Sequence, residues 1–182
     1  LIADSLEINS EVLIARENKD LGLEDIDRLG KEAEKAQEEG NYQKAIKLAE
    51  QILLLEEKEL GAKHPEVGNT LNWIGDIHFD FEKYVKAKSF YQRALDIRKG
   101  SLGLEHPDTV TTLKSLAHLY IVQDLFDKGL PALFELSKLQ EKVLGPEHPD
   151  TQLTLLMLGF FYREQGLFKK AEPIYRFLVS IN

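Results

Sequence analysis

Five histidines and 31 carboxylates are the side chains in this sequence with the chemistry to bind a metal or move a proton. Three of the histidines, His64, His106 and His148, recur at intervals of 42 residues. Equivalent positions in stacked repeats lie roughly 10 Å apart on the helix-packing scale, whereas the ligands of one Zn²⁺ each sit about 2 Å from it. These three therefore cannot share an ion, and their regular placement points to a role in a linker. His78 falls on an apolar stripe and reads as a packed histidine. His118 alone lies on a candidate functional face, where Asp76 or Glu164 would be its partner in acid–base work. No catalytic signature supports that pairing: there is no Gly-rich phosphate loop, no Gly-x-Ser-x-Gly elbow and no His-Glu-x-x-His. The sequence has no cysteine, which excludes thiol nucleophiles, zinc–thiolate sites and disulfides and makes a cytoplasmic address the expected one. No enzyme activity, metal or cofactor is expected.

The elements that position these residues follow from an internal repeat. Leu60-Gly61-Ala62-Lys63-His64-Pro65-Glu66 returns as Leu102-Gly103-Leu104-Glu105-His106-Pro107-Asp108 and again as Leu144-Gly145-Pro146-Glu147-His148-Pro149-Asp150. Three further series keep the step of 42: Ala45, Ala87, Gly129, Ala171; Tyr42, Tyr84, Phe126, Phe168; and Ala33, Gly75, Ala117, Gly159. Each period reads as two helices. Leu71, Ile74, Gly75, His78 and Phe81 form one helical stripe, and Ala87, Tyr91, Ala94, Leu95 and Arg98 mark the second helix. The small residues sit one per helix, where two backbones come closest.

Helix ends account for the punctuation. Gly40 and Gly166 mark the turn within a pair as left-handed caps, with Glu82 and Asp124 in their place in the middle units. Gly61, Gly103 and Gly145 end one helix, and Pro65, Pro107 and Pro149 open the next, where a missing N–H costs nothing. Glu66, Asp108 and Asp150 set negative charge at the positive end of the new helix. Pro131 and Pro173 are expected within the first turn of their helices, where proline is tolerated.

A helix pair of this size cannot bury its apolar face alone, so successive pairs must stack on one another. The expected fold is all-α, a right-handed α-α superhelix of antiparallel pairs with a concave inner face. Units are expected at 26–67, 68–109, 110–151 and 152–182, the last of them cut short. Residues 1–25 read as a capping helix or as the worn second helix of an earlier repeat. Glu32, where later units have Ile74, Leu116 and Leu158, makes the first unit the one expected to fray or to be covered. The sequence begins at Leu1, and Asn182 falls just short of a next linker, so a longer protein is expected.

The composition agrees with a globular, non-membrane chain. It is 43% hydrophobic and 30% charged, its longest apolar stretch is Leu153 to Tyr162, half of what a membrane span needs, and no signal-peptide pattern opens it. The net charge of −8 falls within the first 60 residues and repels polyphosphate, so nucleic-acid binding is not expected.

In its 42-residue Leu-Gly-x-x-His-Pro linkers, and in Ala87-x3-Tyr91-x2-Ala94-Leu95, the chain resembles the tetratricopeptide repeat (TPR) family, in its kinesin-light-chain-like variety. The resemblance covers about residues 26–182. It implies a groove lined by the first helix of each pair, on the stripe turned away from the core. That stripe comprises Asn69, Asn72, Trp73, Asp76, Phe79 and Asp80 in the second unit, Lys114, His118 and Ile121 in the third, and Leu156, Met157, Phe160 and Arg163 in the fourth. In the first unit it comprises Asp27, Lys31, Glu34, Gln37 and Glu38. An asparagine at the place of Asn72 is typical of the family's peptide-holding surface. Members that grip a C-terminal carboxylate use a Lys/Asn/Arg clamp, whereas Asp76 and Asp80 stand in the matching stretch here.

The expected function is therefore a protein-interaction module whose partner segment has basic residues at one end and apolar anchors at the other. Two alternatives stay open. The array is a regulatory arm of a multidomain signalling or defence protein, contacting its own effector domain. Or Leu153, Leu156 and Phe160 pack on a following repeat, a capping helix or the chain's own N-terminal arm, and Trp73 is a packing residue rather than a ligand contact. An apolar end without a cap also leaves a homodimer open.

Overall fold

The computed structural model describes residues 25–181; the region expected to hold an N-terminal capping helix lies outside them. Eight helices follow in order among the described residues: α1 Ile26–Glu38, α2 Tyr42–Glu59, α3 Pro65–Asp80, α4 Tyr84–Ser101, α5 Pro107–Val122, α6 Phe126–Val143, α7 Pro149–Glu164 and α8 Phe168–Ser180. The fold is the expected all-α helical repeat. The chain forms two compact units that divide within α4, one ending at Phe90 and the other beginning at Tyr91.

Turn chemistry sets the two-helix unit. Gly40 and Gly166 have φ of +73°, and Glu82 and Asp124 take the same left-handed conformation at +57° and +55°. Beyond each of them a backbone N–H reaches back five positions, as from Asn41 to Ala36 O, Lys83 to His78 O, Leu125 to Tyr120 O and Leu167 to Tyr162 O. This is a Schellman closure at all four turns, made by a non-glycine residue in two of them at roughly 1 kcal/mol each.

The linker histidines have a specific role. His64, His106 and His148 are the N-caps of α3, α5 and α7, each with extended backbone imposed by the proline that follows. Their Nδ1 atoms accept from the backbone N–H of Glu66, Asp108 and Asp150 at 3.2–3.3 Å. Each histidine thus satisfies one of the donors that a helix start leaves orphaned.

The small-residue series is buried throughout: Ala33, Ala45 and Ala87 are fully covered, and Ala117 and Ala171 nearly so. At Gly129 an added Cβ would come within 2.8 Å of Ile121 Cδ1, so the end of the Ile121 side chain on α5 would have to shift to admit one. In the first unit Leu29, Ile52 and Leu55 form a buried cluster with Ile26, Leu48 and Trp73 against it. In the second, Val110, Ala117, Leu130, Leu133, Leu136, Leu139 and Leu158 form a larger one.

Two expectations need correction. Pro131 and Pro173 are not in the first turn: α6 begins at Phe126 and α8 at Phe168, so each proline is the sixth helical residue. The Schellman turn is short, and the helix therefore starts a turn earlier than the prolines suggested. Of the two outcomes expected for the first unit, to fray or to be covered, fraying is not what α1 shows. α1 is an unbroken helix, and Glu32 pairs with Arg28 at 3.1 Å on its solvent side.

Candidate functional site

The stripe residues expected on the first helices occupy two surfaces, one in each unit. In the first unit, α3 sets Trp73 against α1. Its indole Nε1 donates to Gln37 Oε1 at 3.1 Å, and Gln37 Nε2 donates to Asp80 Oδ2 at 2.9 Å. One amide thus ties the indole to a carboxylate seven positions along the same helix, and Trp73, packed against the core cluster, is half-buried. Asn72 lies deeper than a groove contact would. It is 7% exposed, and its amide donates to Asp76 Oδ2 at 3.1 Å, so the group it sets in place is the half-buried carboxylate of Asp76. Asn69 donates to Glu66 Oε2 at 2.9 Å, and the Phe79 ring meets Tyr84 edge-on at 5.5 Å. The surface is acidic and hydrogen-bonded within itself.

In the second unit the stripe is apolar. Leu153, Leu156 and Phe160 of α7 are 49%, 50% and 43% exposed, and Met157 is half-buried against the core. Arg163 lies over the Phe160 ring at 5.1 Å while donating to Glu164. Lys114 of α5 reaches Asp150 of α7 at 3.3 Å, and His118 is exposed. Ile121 is half-buried beside Gly129. Three exposed side chains at i, i+3 and i+7 form one continuous hydrophobic ridge, the form in which a helix presents anchors to a partner.

Two features escape the stripe argument. A cleft of about 870 Å³ opens on the opposite side of α7, walled by α6 and α8 and floored by Leu155, Leu158 and Tyr162. Pro131 and Pro173 line it, 42 residues apart, a signal already present in the repeat. The other is a buried polar position near the ends of α2, α4 and α6, Glu56, Arg98 and Gln140, again 42 apart. Burial raises the Glu56 carboxyl above its usual range against the lowering effect of a Thr70 hydrogen bond, and Glu66 and Glu57 raise it further.

His78 is 3% exposed and stacks on Phe90 at 5.3 Å, which fits a packed histidine. Burial lowers its pKa first, and the nearby Lys86 adds to that. Among the described residues no three His, Asp or Glu side chains gather as ligands for a metal ion, and no helix is long and apolar enough to cross a membrane.

Known proteins supply a family for this geometry. Among solved structures the chain is similar to the kinesin light chain nearly identical TPR-like repeats of Podosopora anserina, at 22% identity and a TM-score of 0.72, with 94% of this chain and 82% of that one covered. It is also similar to BtubC (BKLC) from P. vanneervenii at 19% identity and a TM-score of 0.73, covering 86% of this chain and 62% of that one. The MamA protein follows at 16% identity and a TM-score of 0.61, with 94% and 78% covered. These likenesses concern the fold. No curated protein sequence matches the chain. The family model described as tetratricopeptide repeat matches residues 33–100 and 66–128, together more than half of the sequence, and the chain thus belongs to the tetratricopeptide repeat family, whose repeats mediate contacts between proteins.

Proposed function

We propose that this protein is a non-enzymatic, cytoplasmic binding module that holds a segment of a partner protein against its first helices. The observation that carries this reading is the ridge of Leu153, Leu156 and Phe160, roughly half-exposed beside Met157. Exposed apolar side chains in a row are a surface that gains from being covered, by about 25 cal/mol per Å² removed from water. The first unit's surface, with Asp76, Asp80, Glu34 and Asp27, supports the other half of the reading, a partner with basic residues as well as apolar anchors.

Affinity purification on the intact protein, followed by retention assays on Phe160→Asp and Asp80→Lys, tests it. Both side chains are exposed, so melting should change little while partner retention falls by about tenfold or more, the usual effect of losing an anchor at the centre of an interface. Undiminished retention by both variants would refute the assignment.

A further inference from the structure

Near the ends of their helices, Glu56 of α2, Arg98 of α4 and Gln140 of α6 are 7%, 5% and 1% exposed. The following first helices supply buried threonines at the same step, Thr70, Thr112 and Thr154. At Arg98 the slot is filled from within the chain. The Arg98 guanidinium donates through Nη1 to Asp108 O at 2.8 Å and also to Thr112 Oγ1.

The first unit reverses the charge in this slot. Glu56 is hydrogen-bonded to the Thr70 hydroxyl, while its Oε2 is buried and no donor among the described residues reaches it. A buried carboxylate oxygen without a donor is costly. The residue itself is part of the lining of a recess of about 340 Å³ between α1, α2 and α3. Gly30 lines that recess without a side chain, and a Cβ there would meet nothing within 4 Å, whereas later repeats carry Asn72, Lys114 and Leu156 at the same step. Ile52 and Trp73 provide its apolar walls. Among the described residues, Asp27 and Glu34 join Glu56 at its lining against one cation, Lys31, so the local field favours a positive guest.

We propose that this recess receives the basic side chain of a bound partner segment, an arginine or a lysine, with its charged head on Glu56 Oε2 and its aliphatic stem between Ile52 and Trp73. The inference rests on the reading of the first helices as the partner-holding surface and names the chemistry that the first unit selects. An opposite charge and two or more N–H donors match the lone carboxylate oxygen and the Thr70 hydroxyl, and an indole wall adds cation–π attraction. Arginine is the better guest, because at Arg98 the chain fills the equivalent slot with a guanidinium.

Trp73 is the only tryptophan, so its emission reports the recess directly. The full chain is titrated with the capped tripeptide acetyl-Leu-Arg-Leu-amide and with its neutral counterpart containing citrulline. The arginine peptide should shift Trp73 emission saturably and bind about tenfold or more tighter than the citrulline peptide. Glu56→Gln, and separately Gly30→Leu, should each weaken it by a similar factor, as expected when one partner of a desolvated charge pair is removed or excluded. Gly30→Leu leaves Glu56 in place, so it tests the recess even if Glu56→Gln alters stability. Equal binding of the two peptides, or arginine binding indifferent to both substitutions, overturns the proposal. Partner retention that falls with Phe160→Asp while the peptides fail to discriminate overturns the recess alone. Peptide discrimination alongside undiminished retention in the helix-face variants overturns the broader reading instead.

Discussion

Replacing His78 by phenylalanine should stabilise the protein, and by more in acid than at neutral pH. The imidazole is 3% exposed and stacks on Phe90 with an interplanar angle of 20°, and Nδ1 has no hydrogen-bond partner among the described residues. A buried polar atom left in this state costs about 1–3 kcal/mol. Phenylalanine keeps a flat ring for the stack and removes the polar atom. Its slightly larger ring costs up to about 1 kcal/mol if the walls do not yield, leaving a net gain of about 1 kcal/mol near neutral pH.

The pH dependence has a definite sign. Burial, and then Lys86, lower the His78 pKa below its ordinary 6.5. Between the folded and unfolded values the unfolded chain binds more protons, so this contribution to stability is present above the unfolded pKa and is lost as pH falls through the folded one. At about pH 5 the loss reaches at most about 2 kcal/mol, and His78→Phe does not suffer it. Urea unfolding followed by Trp73 fluorescence, a reporter in the same unit, at about pH 7 and about pH 5 measures both terms. The variant's advantage should widen on acidification. A variant less stable at both pH values, or an advantage that does not change with pH, would refute the reasoning.

Two further expectations concern helix ends. His106→Ala removes the Nδ1 acceptor for the Asp108 N–H and should destabilise by about 1 kcal/mol, whereas His106→Asn, which can accept the same bond, should retain most of it; paired thermal melts separate the two. Glu82→Gly relieves a non-glycine left-handed turn and should stabilise by up to about 1 kcal/mol, read as a rise in Tm with unchanged helical circular dichroism.

Much of the architecture was legible because it is periodic or local. Gly40, Glu82, Asp124 and Gly166 have to turn the chain within a few residues, Pro65, Pro107 and Pro149 can only open helices, and Ala45 or Gly129 recur wherever two backbones meet. Such constraints act over a few neighbours and repeat every 42 residues, so a single sequence displays them several times. The linker histidines were placed correctly, but their capping role depends on Nδ1 facing one particular N–H, which spacing does not specify.

Depth and partnership were decided only in three dimensions. Stripe counting put Asn72 beside Trp73 on one face, yet Asn72 is buried on Asp76 while Trp73 is held by Gln37, 36 residues away. Glu56, Arg98 and Gln140 lie at the repeat step, but a glutamate among leucines on a second helix looks solvated until Thr70 and Gly30 are brought around it. The reason is geometric: a helix period assigns each residue a direction around its own axis, whereas burial, charge compensation and the opening of a recess are set by the side chains that neighbouring helices bring to meet it.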